Sequence, residues 1–447
     1  MNEIVERSSR DRPQKHWWKK IKFQLSACLI HTPKLRVLLK RVWVSCLGVL
    51  LQSLYWRVLL WNFITGNYCK CIQYNKTHWV SPVSIEYTGL TEFNIHYCKG
   101  RVITGDWDRL EKVFTRLDIY IAIEEVLSKG KSWPETEFHQ RIIKKIANGQ
   151  IYWNCVDEFS FNQRCRNLEL LFKSIKDNGY KTQEELLQGQ YFDYRKKNDE
   201  IIVSIGRDGD LLFSNSAHRL AIVKILGLEK VPIKISVRHP DWIQFIKELS
   251  SYIDKNDIPL SHDFRHPDIE DLKSSKKGET LYEIISKNIP VKKGKLIDLG
   301  AGLGYFCHRF QNDGFNCYAS ECSSFQLKLL KQIKKVERYN FSITETPVLK
   351  TNYIRNNRFD VVLALNSFHY FLKTEETFNE LILFLKNLDA KELYFQSPTT
   401  LSTTNRCDYK QYNPEEFVGV ILEYSSLSNA ELIGYTNDNT PLYKLYT

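Results

Sequence analysis

The sequence contains no Cys-x-x-Cys, although it has eleven cysteines. Cys69-Lys-Cys71 is a lone pair without a second pair at zinc-like spacing, so no metal site is expected. An odd set of scattered thiols reads as free cysteines in a reducing compartment. Residues 78–255 show no internal repeat and no low-complexity tract. A hydrophobic share of 43% and a charged share of 26% exclude disorder throughout and collagen. No unbroken apolar run reaches the roughly 20 residues of a spanning helix. The best candidate, Val42–Trp56, is 15 residues long and is followed by Arg57. No small-residue cleavage site follows it, which argues against a signal peptide. At 447 residues the chain is long enough for two or three domains.

Most of the chain also lacks net charge. Residues 1–77 hold 14 Lys/Arg and 3 acids, which accounts for the whole formal charge of +11. The remaining 370 residues carry 49 bases and 49 acids. A broadly basic nucleic-acid-binding body is therefore not expected. Five of the ten tryptophans (Trp17, Trp18, Trp43, Trp56 and Trp61) fall in the basic segment. Arg41, Ser45, Gly48 and Gln52 share one helical face, with Val, Leu and Trp on the others. The expectation is an amphipathic helix lying on an anionic membrane surface through residues 7–63, on the cytoplasmic face. A single span, or a helix capping the next domain, are the alternatives.

In residues 78–255, Ser84–Tyr87 and Arg101–Thr104 read as short strands. Trp107–Ser128, Glu135–Ile146 and Asn167–Asn178 read as helices. Thr182–Leu187 starts another. Ile201–Ile205 and Leu211–Phe213 form a hairpin across Asp208-Gly209. A helix from His218 to Leu226 ends at Gly227, and Val231–Val237 is the closing strand.

The order of strand, turn, strand and helix start resembles the ParB/sulfiredoxin-like fold, an α+β domain. The matching residues are Arg207-Asp208-Gly209 and Ala217-His218-Arg219. Free N–H groups at a helix start, joined by an arginine, suit a phosphate. The segment also looks like proteins that place Gly105-Asp106-Trp107-Asp108 and Arg164-Cys165 before this core. The resemblance implies phosphate or nucleotide recognition by Arg207, His218, Arg219, Asp106, Asp108 and Arg164. The same residues also read as fold-stabilising ion pairs, and His218 as a structural histidine. Asn215-Ser216-Ala217 departs from the family by lacking a glycine at the helix approach.

Residues 256–275 are polar and read as a linker. After it, Glu279–Lys287 is helical and Lys295–Leu299 is a buried strand. The strand runs into Asp298-Leu-Gly300-Ala-Gly302-Leu-Gly304 and then a helix. A strand, a glycine turn and a helix in that order open a nucleotide-binding doubly wound sheet. The acid-bearing glycine pattern resembles motif I of class I S-adenosylmethionine-dependent methyltransferases. Asn316–Ser320 is the second strand, ending in Glu321, and Cys322–Val336 the next helix. Phe359–Leu365 leads into Asn366-Ser-Phe-His369-Tyr370. Lys391–Gln396, Glu431–Tyr435 and Pro441–Tyr446 suit the last strands. Strand three is assigned to Ser342–Glu345, without a clean aspartate for adenine.

The resemblance covers residues 276–447 and implies a seven-stranded Rossmann-like α/β domain using S-adenosylmethionine. It implies that Gly300, Gly302 and Gly304 cradle the methionine moiety. Asp298 holds its amino-acid side, Glu321 takes the ribose, and Asn366 joins the cofactor-binding residues. His369 is the general-base candidate, with a packing role as the alternative. No Asn-Pro-Pro-Tyr or Pro-Cys motif supports DNA base methylation. NAD binding is disfavoured by the glycine spacing. The expected activity is methyl transfer to a small-molecule or phosphate-bearing, glycan- or nucleotide-linked acceptor. The alternative is a nucleotide- or nucleic-acid-binding protein with an inert methyltransferase fold.

Overall fold

The computed structural model describes residues 76–89, 100–110, 112–153, 155–186, 200–260, 264–270, 272, 277–345, 349, 357–398 and 408–447. The expected membrane-surface segment, residues 7–63, lies outside them. No helix among the described residues is long and apolar enough to cross a membrane. Cys69–Lys173 and Ile201–Thr447 belong to one compact unit, which holds two sheets. Ser174–Glu200 belongs to the second unit. There the Tyr180 hydroxyl and the Gln183 N–H both donate to the Glu200 carboxylate.

The N-terminal sheet contains β1 (His78–Val80), β2 (Tyr87–Thr88), β3 (Arg101–Val102), β4 (Lys112–Val113), β5 (Ile201–Ile205), β6 (Leu211–Asn215) and β7 (Val231–Arg238). Its order is β1-β7-β5-β6-β2-β4, with β3 pairing β7. The expected hairpin is present, closed by Gly206 N–H donating to the Asp210 carbonyl at 3.1 Å. Helices α1 (Asp118–Leu127), α2 (Glu137–Ala147), α3 (Glu158–Asn178), α4 (Ala217–Ile225) and α5 (Pro240–Asn256) accompany it. The helix expected over Trp107–Ser128 begins only at Asp118. Tyr87 pairs with Val113, and sheet pairing overrides helical periodicity there. The strand expected over Ser84–Tyr87 is observed only as Tyr87–Thr88, because Ser84 closes the 3-10 turn Pro82–Ser84.

The polar stretch after α5 is anchored where it is described. Asp268 is fully buried and accepts from Arg238 at 2.7 and 2.8 Å and from the Trp242 indole at 2.9 Å. His266 contacts the Gly209 carbonyl at 3.0 Å. A Cβ on Gly209 would lie 2.5 Å from both Trp242 and Val336, so the hairpin tip needs glycine to reach the C-terminal lobe.

That lobe contains β8 (Lys295–Leu299), β9 (Asn316–Ser320), β10 (Ser342–Thr344), β11 (Phe359–Leu365), β12 (Ala390–Gln396), β13 (Asn429–Tyr435) and β14 (Pro441–Tyr446). Their order is β10-β9-β8-β11-β12-β14-β13. The first five are parallel, and β14 runs antiparallel between β12 and β13. Helices α6 (Lys277–Asn288), α7 (Tyr305–Asn312), α8 (Ser324–Val336), α9 (Glu375–Lys386) and α10 (Pro414–Tyr424) cover the sheet. Alternate residues of β11 feed two cores. Val361 and Leu363 pack with Ile285 and Phe310, while Val362 and Ala364 pack with Leu385 and Phe417. Burial on both faces explains why these strands read as continuous apolar runs.

Candidate active site

The site lies at the carboxyl ends of β8, β9 and β11, where an open parallel sheet leaves a crevice. Gly300 and Ala301 N–H groups both donate to the Ser320 carbonyl, at 2.9 and 3.0 Å. This ties the glycine loop to the end of β9. Gly304 closes the turn onto the Ala301 carbonyl at 2.8 Å.

The glycines have different tasks. Gly304 has φ +79°, and a Cβ there would lie 2.6 Å from Leu330 and 3.3 Å from His308. It allows α7 to pack closely against α8. Gly302 has φ +57°, and a Cβ there would meet nothing within 4 Å. Its open side is a cradle that a side chain would fill.

Glu321 is buried, and its carboxylate is held by the loops around it. One oxygen accepts from Gly302 N–H at 2.9 Å. The other accepts from Cys322 and Ser323 N–H at 2.8 and 2.7 Å, at the start of α8. Asp298 is buried as well, and its Oδ2 has no partner. Burial, followed by repulsion from Glu321, pushes its carboxyl up to about 7. The buried hydroxyls of Ser320 and Ser367 also lack partners. Ser367 adjoins the glycine loop, with its Cβ 3.2 Å from where a Gly300 Cβ would be.

Buried polar atoms without partners are rare and call for an explanation. Here an acid and two hydroxyls, those of Asp298, Ser320 and Ser367, belong to the strand ends beside the glycine loop. That donor and acceptor set fits a polar ligand with an amino-acid end and a sugar diol, as in S-adenosylmethionine. Ser320 and Ser367 were not singled out from the sequence. Their signal was position, each at the carboxyl end of a buried strand beside a site residue.

Asn366 is exposed at the end of β11, with φ +53°. Its N–H donates to the Gln396 carbonyl and its amide to the Gln396 side chain. His369 follows on the 3-10 turn Phe368–Leu372. Its Nδ1 is buried without a partner, and its ring lies 4.1 Å from that of Tyr370. Burial and the Lys373 cation lower its pKa, against the pull of Asp408. The imidazole is therefore neutral at pH 7, the state a general base needs. Strand three is Ser342–Thr344, as expected, while Glu345 pairs with Lys331 at 2.6 Å.

The residues expected to form one N-terminal site separate into two groups. Arg207 binds Asp108 through Nε at 2.9 Å and a terminal nitrogen at 2.8 Å, and reaches Asp106 at 2.9 Å. Burial opposes the Asp108 charge, but Arg207 outweighs it and holds the carboxyl below its ordinary range. This fork is committed to two carboxylates of its own chain. Arg207, Asp106 and Asp108 thus pair with one another in one ion cluster.

At the opposite end of β6, His218 stands edge-on to Trp153 at 4.2 Å. The Arg164 guanidinium lies 5.7 Å from the Trp153 ring. Burial, then Arg164, then Arg219, push the His218 pKa down to about 4. Its Nε2 is buried without a partner. Ser216, before α4, adopts φ +73°, so it takes the backbone conformation for which a glycine was missed. A five-residue strand, about 13 Å long, lies between this group and the Arg207 cluster in the chain.

Residues 297–387 match a family model described as a methyltransferase domain. Among solved structures, the chain is similar to the bifunctional kinase-methyltransferase WbdD, at 13% identity over 38% of each chain, with a TM-score of 0.31. It is similar to the N-methyltransferase NodS from Bradyrhizobium japonicum WM9, at 13% identity over 38% of this chain and 95% of that one, TM-score 0.31. A third is magnesium protoporphyrin IX methyltransferase (ChlM) from Synechocystis PCC 6803 with bound SAH. It shows 16% identity over 38% of this chain and 81% of that one, TM-score 0.30. The chain covers well under two thirds of WbdD. No curated protein matches. The C-terminal lobe thus has a mixed-sheet Rossmann-like fold, and residues 297–387 within it are similar to a methyltransferase domain.

Proposed function

We propose that the protein transfers a methyl group from S-adenosylmethionine to a small-molecule or phosphate-bearing acceptor, glycan- or nucleotide-linked. The observation that carries this reading is the open side of Gly302, whose N–H donates to the buried Glu321 carboxylate on a loop that begins at buried Asp298. The bound sulfonium supplies an already activated methyl group. The chain's work is positioning and exclusion of water. Gly300, Gly302 and Gly304 shape the loop, Asp298 faces the amino-acid end, and Glu321 accepts from the ribose. Asn366 borders the acceptor side, where neutral His369 takes a proton from a hydroxyl or amine.

In this proposal residues 78–255 form a ParB/sulfiredoxin-like domain, joined through 256–275 to the catalytic lobe at 276–447. The Arg164, His218 and Arg219 group supports recognition of a phosphate on the acceptor. Residues 1–77, basic and tryptophan-rich, hold the enzyme to an anionic cytoplasmic membrane face. Retention of tritiated donor by the intact chain, with Gly302→Arg as control, tests the reading. Wild-type retention lost in the variant is expected. No retention by the folded wild type overturns it.

A further inference from the structure

Helix α5 of the N-terminal lobe lies against α8 of the C-terminal lobe. Glu248 pairs with Lys328 at 2.7 Å, and the Tyr252 ring meets Phe325 edge-on at 5.4 Å. Between these contacts, the Tyr252 hydroxyl bonds the Gln326 side-chain amide. The other end of that amide faces Glu321. An amide oxygen there would be repelled by the carboxylate, so the nitrogen must face it. In that orientation it donates to the two Glu321 oxygens at 3.0 and 3.1 Å, and its oxygen accepts from Tyr252. The acceptor-only Glu321 carboxylate sets which end of the amide faces it, and the Tyr252 O–H satisfies the other end.

We propose that Gln326 and Tyr252 are positioning residues for donor binding, so that the N-terminal lobe completes the ribose side of the site. Gln326 holds the Glu321 carboxylate together with the Gly302, Cys322 and Ser323 N–H groups. Tyr252 acts through Gln326 by anchoring the outer, oxygen end of its amide. A hydrogen bond to a charged group is the strong kind, so its loss is measurable. The inference rests on the reading of Glu321 as the ribose acceptor.

The test is calorimetric titration of the intact chain with S-adenosylhomocysteine and with its 2′-deoxyribosyl counterpart. Thermal unfolding checks that each variant is folded. Gln326→Leu is expected to weaken S-adenosylhomocysteine about tenfold and to change the deoxy compound less than about twofold. Tyr252→Phe, a milder change, is expected to cost about threefold and to add nothing on the Gln326→Leu background. Unchanged affinity in both variants overturns the proposal. So does equal weakening of both ligands, the mark of lost packing, or tighter binding, the mark of an amide that competes with the ribose. A wild type that binds neither ligand sinks the donor reading itself, and this proposal with it.

Discussion

Replacing Asp298 by asparagine removes a charge and keeps the shape. In the folded protein this carboxyl is pushed up to about 7 by burial and then by Glu321. In an unfolded chain an aspartate ionises near about 3.9. Between those two values the folded state keeps a proton that the unfolded state has released. Stability therefore falls as pH rises through that window, by about 1.4 kcal/mol per pH unit. The whole penalty is on the order of 4 kcal/mol above pH 7. Asparagine carries no such penalty. Urea unfolding at pH 8 is expected to show Asp298→Asn more stable by up to about 4 kcal/mol. The gap should narrow steadily toward pH 4. The same variant is expected to lose donor binding, the trade found where a site is kept at the expense of the fold. A variant no more stable than wild type at pH 8, or a gap independent of pH, would refute the reasoning.

The glycine loop makes a paired prediction. Gly304→Ala puts a methyl 2.6 Å from Leu330 in a left-handed conformation and is expected to cost about 2–4 kcal/mol in urea unfolding. Gly302→Ala meets open space, so it is expected to cost about 1–2 kcal/mol and to weaken donor binding more than tenfold in titration. Asp268→Asn leaves Arg238 buried without its anion and is expected to cost about 3–5 kcal/mol. Burial opposes the Asp268 charge, but Arg238 outweighs it and lowers the pKa to about 2. Its contribution is therefore held above about pH 4 and lost as pH falls toward 2. By proton NMR, His369 is expected to titrate below the ordinary imidazole value and to move up in Lys373→Ala, which removes a repelling cation. A downward move or none contradicts that assignment.

The C-terminal lobe was legible because its signals are local. Strands buried on both faces are continuous apolar runs, and Asp298 through Gly304 marks a turn that few other residues permit. The boundaries of β8, β9, β11 and β14 matched their sequence reading. The N-terminal lobe was less legible, because its strands are short and paired at long range. Lys112–Val113 sat inside a helical pattern, and only its partner Tyr87 makes it a strand. Sequence spacing could nominate Arg207, Asp106 and Asp108, but not show that they satisfy one another. Asp268 read as linker polarity, since nothing nearby in sequence announces Arg238 or Trp242. Gln326 read as one more polar helix residue, and Tyr252 stands 74 positions away from it.

The central claim is that the loop from Asp298 to Gly304, with Glu321, receives the methyl donor. Hydrogen exchange of the intact chain, with and without saturating S-adenosylhomocysteine, tests it most directly. Slower exchange is expected at Gly300–Gly304 and at Cys322–Ser323, where the N–H groups already surround Glu321. Unchanged exchange at both segments, or protection confined to the Arg164 and His218 group, would contradict the account.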